Sequence, residues 1–130
     1  MRMKTLALLS LASLAMLALF AGCDLFSPFS LDDALGEWEA ATGTIKGVPA
    51  TSIHLSVMSN GTMYDAGWDS GDDHYWYPCN GTTAKNVFTG TYYDQAITIT
   101  LSLKNGKLSA KFAGAGPLDG VTFTDLTKQN

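Results

Sequence analysis

Arginine is almost missing from this sequence: Arg2 is the only one among 130 residues. Beyond residue 22 the basic residues are six lysines, set against twelve Asp or Glu, so that portion carries a formal charge near minus six. A chain with no arginine there and no basic stripe is a poor match for nucleic acid, and no nucleic-acid partner is expected. The same charge opposes direct attraction to an anionic surface. Cysteine is scarce too. Cys23 and Cys79 are the only two, which excludes a scaffold stapled by several disulfides. Two histidines and one further cysteine do not make a zinc site, and no cofactor is expected. Helical periodicity is the last absence. Beyond Gly36 no apolar stripe recurs at three- and four-residue spacing, which argues against a helical domain.

What is present begins at the amino terminus. Arg2 and Lys4 precede an uncharged stretch whose middle, residues 5–20, reads TLALLSLASLAMLALF. A basic start, an apolar middle and small residues at the end form the three-part layout of a secretory signal. The run is nearer sixteen residues than the roughly twenty that a membrane-spanning helix needs. It is followed by Asp24 rather than by a basic stop-transfer cluster. Leu19-Phe20-Ala21-Gly22-Cys23 resembles the lipobox of bacterial lipoproteins. That resemblance implies cleavage before Cys23, a diacylglycerol on its thiol and an acyl chain (palmitate, for example) on its amino group. Phe20 stands where the family usually has Leu. Two or three chains hold a protein stably on a membrane where one holds it marginally. The expected location is therefore the bacterial cell envelope, lipid-anchored and facing the periplasm or the exterior. Asp24 is similar to the signal that retains some lipoproteins in the inner membrane. With Cys23 lipidated, Cys79 has no partner in the chain and is either buried or available to react. Without lipidation, a Cys23–Cys79 disulfide becomes possible.

Residues 1–22 thus read as signal peptide and 23–35 as lipidated cysteine and tether, in which Ser30 is placed to cap a short helical turn through Asp32, Asp33, Ala34 and Leu35. Residues 36–130 read as one β domain. Ile97, Ile99, Leu101 and Leu103 alternate with Thr98, Thr100 and Ser102. Asn105-Gly106, a strong hairpin signal, then turns the chain into Leu108, Ala110 and Phe112. Ile53, Leu55 and Val57 repeat the pattern before Asn60-Gly61 and a strand over Thr62–Trp68. Further strands are expected at Gly36–Ile45, His74–Cys79, Val87–Asp94 and Gly120–Thr127. Their turns are expected at Gly47-Val48-Pro49, Ser70-Gly71, Asn80-Gly81 and Gly114–Pro117. About eight short strands without crossover helices predict an all-β antiparallel up-and-down meander. Closure into a small barrel removes its open edges; a two-sheet sandwich is the alternative.

Gly36-Glu37-Trp38, on the first strand after a short helical turn, resembles the G-x-W start of lipocalin-like and related calycin barrels. Phe88-Thr89-Gly90-Thr91-Tyr92 and Val121-Thr122-Phe123 are similar in rhythm to short bacterial members. The resemblance implies that Trp38 packs across the closed end of the barrel, with Lys128 the one residue placed to stack on it.

The segment from Tyr64 to Cys79 is the densest in chemistry. Trp68, Tyr75, Trp76 and Tyr77 are the candidate ligand-binding residues, because amphipathic rings suit a sugar, lipid or aromatic ligand. Alternation sets Tyr75 and Tyr77 on one face, His74 and Trp76 on the other. Asp69, Asp72 and Asp73 are weak calcium candidates, lacking the ordered spacing and distal Glu of an EF-hand. Their bland reading is a solvated acidic hairpin tip. His74 with Asp72 or Asp73 is a possible acid–base pair and His74 with Cys79 a possible nucleophile pair, but neither spacing favours catalysis. His54 reads as a surface residue on the polar face of its strand. The expectation is a monomeric, non-enzymatic, membrane-anchored barrel that binds a small apolar or sugar ligand. The alternative is a structural or host-interaction surface lipoprotein without a small-molecule pocket. An interior plugged by Ile, Leu and Phe would favour the second.

Overall fold

A computed structural model describes residues 29–114 and 116–130; the expected signal peptide and Cys23 lie outside the described residues. A four-residue helical turn, α1 (Leu31–Ala34), leads into eight strands. They are β1 (Gly36–Ile45), β2 (Val48–Met58), β3 (Met63–Ser70), β4 (Asp73–Ala84), β5 (Val87–Tyr92), β6 (Gln95–Lys104), β7 (Lys107–Gly114) and β8 (Thr122–Lys128). Each strand pairs antiparallel with the next, and β8 returns to β1 through Trp38 opposite Lys128 and Glu39 opposite Thr127. The sheet is therefore a closed meander barrel, not a sandwich.

Alternation decides which side chains enter. Ile53, Leu55 and Val57 from β2, Ile97, Ile99 and Leu101 from β6, and Leu108, Ala110 and Phe112 from β7 are all buried. With Tyr64, Phe88, Phe123 and Leu126 they occupy the interior, and Tyr64 and Phe88 meet at 4.4 Å between ring centres. An eight-stranded barrel is just wide enough to be filled by its own side chains. No polar or charged residue is buried among the described residues.

The two ends of the barrel differ. At the helix end Trp38 is buried, its indole Nε1–H donates to the Ala34 carbonyl at 2.9 Å, and the Lys128 ammonium lies 5.7 Å from its ring centre. This is the placement the G-x-W resemblance implies. Ser30 precedes α1, but its side chain caps nothing. The Asp33 N–H bonds the Ser30 carbonyl instead. At the opposite end, the mouth, the loop of residues 116–120 tucks Leu118 into the core, and the Lys46 ammonium donates to the Pro117 carbonyl at 3.2 Å.

The expected turn at Asn80-Gly81 is a correction. β4 runs straight through it to Ala84, and the chain reverses at Lys85-Asn86, where Lys85 has a φ of 56°. Gly81 stands opposite Gly90 on β5. A Cβ on either would strike the facing backbone, so the glycines serve close strand approach rather than reversal. Likewise Val48 and Pro49 already belong to β2, and the turn there is Lys46-Gly47.

Trp38→Ala empties the helix end and is expected to cost about 3–5 kcal/mol. Trp38→Phe keeps most of the packing but loses the bond to Ala34, a loss of about 1 kcal/mol beyond the change in shape. Urea unfolding monitored by circular dichroism checks both; an alanine variant as stable as the parent contradicts this role for the indole.

Candidate functional site

Tyr75 and Tyr77 point inward from β4, two residues apart, and bring their rings to the mouth. Trp68 on β3 faces them: it stacks on Tyr75 at 5.2 Å between centres and meets Tyr77 at 5.4 Å. Tyr75 and Tyr77 lie nearly parallel, 12° apart. Tyr92, at the end of β5, meets Tyr77 edge-on at 4.9 Å, and Phe123 meets Trp68 edge-on at 5.9 Å. Such offset and edge-on pairs satisfy the ring quadrupoles. Trp68 and Tyr77 are buried, whereas Tyr75 is 36% exposed at the rim. Burial pushes the Tyr77 hydroxyl up from the usual phenol range, reinforced by Tyr92 and Tyr75.

A cleft of about 220 Å³ opens beside these rings, lined by Ile45, Lys46, Val48, Trp68, Ser70, Tyr75, Tyr77 and Pro117. Its walls are mainly apolar, with the Lys46 ammonium and the hydroxyl-bearing Ser70, Tyr75 and Tyr77. The Ser70 hydroxyl is directed to the Pro49 carbonyl at 3.1 Å. A space of this size takes one ring or a short aliphatic segment.

Trp76 is not part of this cluster. It stands on the outer wall, 61% exposed, opposite Gly67 in the β3–β4 register. The four expected ligand aromatics therefore separate into three at the mouth and one outside, as strand alternation requires. Tyr92, Lys46 and Pro117 were missed as mouth residues. Their approach depends on strands and loops distant in sequence, and residues 114–117 carried only a turn signal.

His74 pairs across the hairpin with Asp69, not with Asp72 or Asp73; its Nδ1 lies 2.6 Å from Asp69 Oδ1. The two residues are opposite partners in the β3–β4 ladder. That contact raises the His74 pKa above its usual 6.5, through the hydrogen bond first and the Asp69 charge second. The pair sits on the outer wall with His74 79% exposed. Among the described residues no three His, Cys, Asp or Glu side chains gather as a metal-ligand set. His54 is half-buried on β2: its Nδ1 lies 3.3 Å from the Ser52 carbonyl, and its ring covers Gly67.

Cys79 is buried on the inner face, and its thiol is directed to the Tyr77 carbonyl at 3.7 Å. Burial pushes its pKa up to about 11, with the Asp65 charge adding to the effect. The thiolate is the nucleophile, so this cysteine is unreactive at neutral pH. It lies inside the wall while His74 lies outside, which separates the expected nucleophile pair.

No family profile matches the chain, and no curated protein or solved structure is significantly similar to it.

Two measurements check this geometry. Cys79 in the folded protein is expected to resist a thiol reagent at pH 8 and to react fully in denaturant; rapid native labelling contradicts its burial. In NMR titration, His74 is expected to lose its proton above pH 6.5, and Asp69→Asn to bring the midpoint back down. Because the folded value is raised, any stabilising effect of the pair is complete below about pH 6.5. It fades as pH climbs through the raised value. Its exposure keeps that effect small.

Proposed function

We propose that the chain is a membrane-anchored lipoprotein, held by lipid on Cys23, whose barrel binds a small apolar or sugar ligand at the aromatic mouth without chemical turnover. The observation that carries this reading is the placement of Trp68, Tyr75 and Tyr77 around an apolar cleft at the end opposite α1. The chain enters the barrel through Phe29 and α1, so a tether leading back to Cys23 leaves from the helix end. An anchored barrel then presents its mouth away from its own membrane. No helix of the described residues is long and apolar enough to cross a membrane, so attachment in this reading rests on the lipid. A non-enzymatic role is favoured by the separation of the protonated Cys79 thiol from the solvated His74.

The side chains that fill the barrel favour one specific alternative, a structural or host-interaction surface lipoprotein. Phe88, Leu55, Ile99 and Leu101 occupy the central space that a larger ligand would need. The mouth cleft is below the roughly 300–1,000 Å³ of ordinary ligand pockets. The proposed ligand is accordingly one ring in size.

Mass spectrometry of the full chain isolated from an expressing bacterium is expected to show cleavage before Cys23 and added acyl mass, both lost in Cys23→Ser. An unprocessed Met1 terminus contradicts the anchor. For the mouth, octyl glucoside below its micelle concentration supplies both a sugar ring and an apolar chain. Its titration is expected to change tryptophan fluorescence and to weaken about tenfold in Tyr75→Ala, the contribution of one aromatic contact, while Trp76→Ala binds as the parent does. No response, or equal loss in both variants, contradicts a mouth site.

A further inference from the structure

The seam that closes the barrel is incomplete. β1 extends to Ile45, but its ladder with β8 ends at Glu39 opposite Thr127. The Gln129 N–H bonds the Glu37 carbonyl at 2.8 Å, which fixes Glu37 as a residue whose backbone faces β8. The alternation slips near Ala41: Ile45 is buried like Trp38 although an odd number of residues away, and a Cβ on Gly43 would meet the buried Ile53. The Lys46-Gly47 turn bonds Ile45 to Val48 and Gly43 to Ala50, so beyond the slip the backbones of Thr42 and Thr44 face the β8 side. Continuing the register would put Asp125 opposite Ala41. Asp125 instead has a φ of 54°, and its N–H is satisfied by the Ser109 hydroxyl at 3.2 Å. It sits where the β7–β8 register slips between Leu108 and Ala110. This bulge turns β8 away and leaves the outer half of β1 without a neighbour on that side.

An unpaired strand edge is a template for another strand, and proteins usually blunt it with Lys, Pro or a bulge. β8 carries such a bulge. Ala40–Ile45 carries neither Lys nor Pro, and Ala41, Thr42, Gly43 and Thr44 are small and exposed. A groove of about 760 Å³ meets this edge at Thr42, crossing the outer wall over Glu39–Thr42 from Ser52 and His54 of β2 to Asp125 and Thr127 of β8. Its only full charges are the carboxylates of Glu39 and Asp125, one on each bank, and no lysine lines it.

We infer that the β1 edge between Ala41 and Thr44 is a docking site for an extended peptide segment bearing lysine or arginine, which adds as a strand beside β1. Main-chain bonds to Thr42 and Thr44 supply the pairing, as in other strand-addition complexes. Small side chains on β1 let the guest backbone approach. Basic side chains on the outward face of the guest meet Glu39 and Asp125, so charge selects the partner. This site is on the outer wall, apart from the aromatic mouth, and does not depend on the ligand reading.

The test uses the full chain and two capped hexapeptides, one alternating valine with lysine and one alternating valine with glutamate. Amide hydrogen exchange read by NMR is expected to show Thr42 and Thr44 unprotected in the free protein and protected by the lysine peptide. The glutamate peptide leaves them unchanged. The fold-preserving double variant Glu39→Gln/Asp125→Asn is expected to weaken lysine-peptide binding several-fold and to reduce its salt dependence. Thr44→Pro, which removes a facing N–H, is expected to abolish protection at Thr42; Tyr75→Ala at the mouth leaves binding unchanged. Strong protection of both amides in the free chain overturns the inference. So does peptide binding that protects other strands, or self-association that protects the edge without peptide.

Discussion

Closure of the sheet between β1 and β8 is the constraint on which this molecule depends. A meander of eight antiparallel strands has two edges, and the buried side chains stay dry only if those edges meet. They meet over a short stretch, Trp38–Glu39 against Lys128–Thr127, extended by the Gln129–Glu37 hydrogen bond. The same stretch carries the indole that seals the helix end and the ammonium above it. One short seam therefore fixes the circumference, the end closure and the point where β1 becomes free. The wall elsewhere is held by long ladders, such as the nine pairs between β1 and β2.

The asymmetry of the seam gives the barrel two dissimilar ends. Near α1 the interior is finished by Trp38 and by the Tyr64–Thr83–Gly61 hydrogen-bond chain, in which the Tyr64 hydroxyl meets Thr83 Oγ1 and that hydroxyl donates to the Gly61 carbonyl. At the mouth, rings, Leu118 and the Lys46–Pro117 contact perform that role. A hydrogen-bonded plug is rigid. The mouth loop is pinned as well, by the buried Leu118, the Gly120 N–H on the Phe112 carbonyl and the Gly114 N–H on the Asp119 carboxylate, so what sets the mouth apart is its aromatic cleft. Acidic side chains also concentrate there: Asp69, Asp72, Asp73, Asp94 and Asp119 all belong to strand ends or turns on that side.

Much of the wall was legible from alternation. The inward sets of β2, β6 and β7, the reversals at Asn60-Gly61 and Asn105-Gly106, and the bounds of β1 all follow from period-two patterning and positive-φ turn residues. Asn80-Gly81 misled because the pair carries the same local signal as a turn, while the space opposite Gly90 needs a glycine for another reason. The bulges at Ser52 and Asp125 have no decisive local signature: serine is no usual host of positive φ, and aspartate, which adopts it more often, does so mainly in turns. In the candidate site, the separation of Trp76 from Tyr75 and Tyr77 followed from parity. The His74–Asp69 contact and the approach of Tyr92 and Pro117 needed cross-strand register and loop placement, which a single sequence does not encode locally.

The central claim, a sheet closed at one short seam, is tested most directly by proton–proton nuclear Overhauser contacts across β1 and β8. The account predicts strong backbone contacts from Trp38 to Lys128 and from Glu39 to Thr127, with none between Gly43 and Phe123. Absence of the first two, or a continuous ladder reaching Gly43, would contradict it.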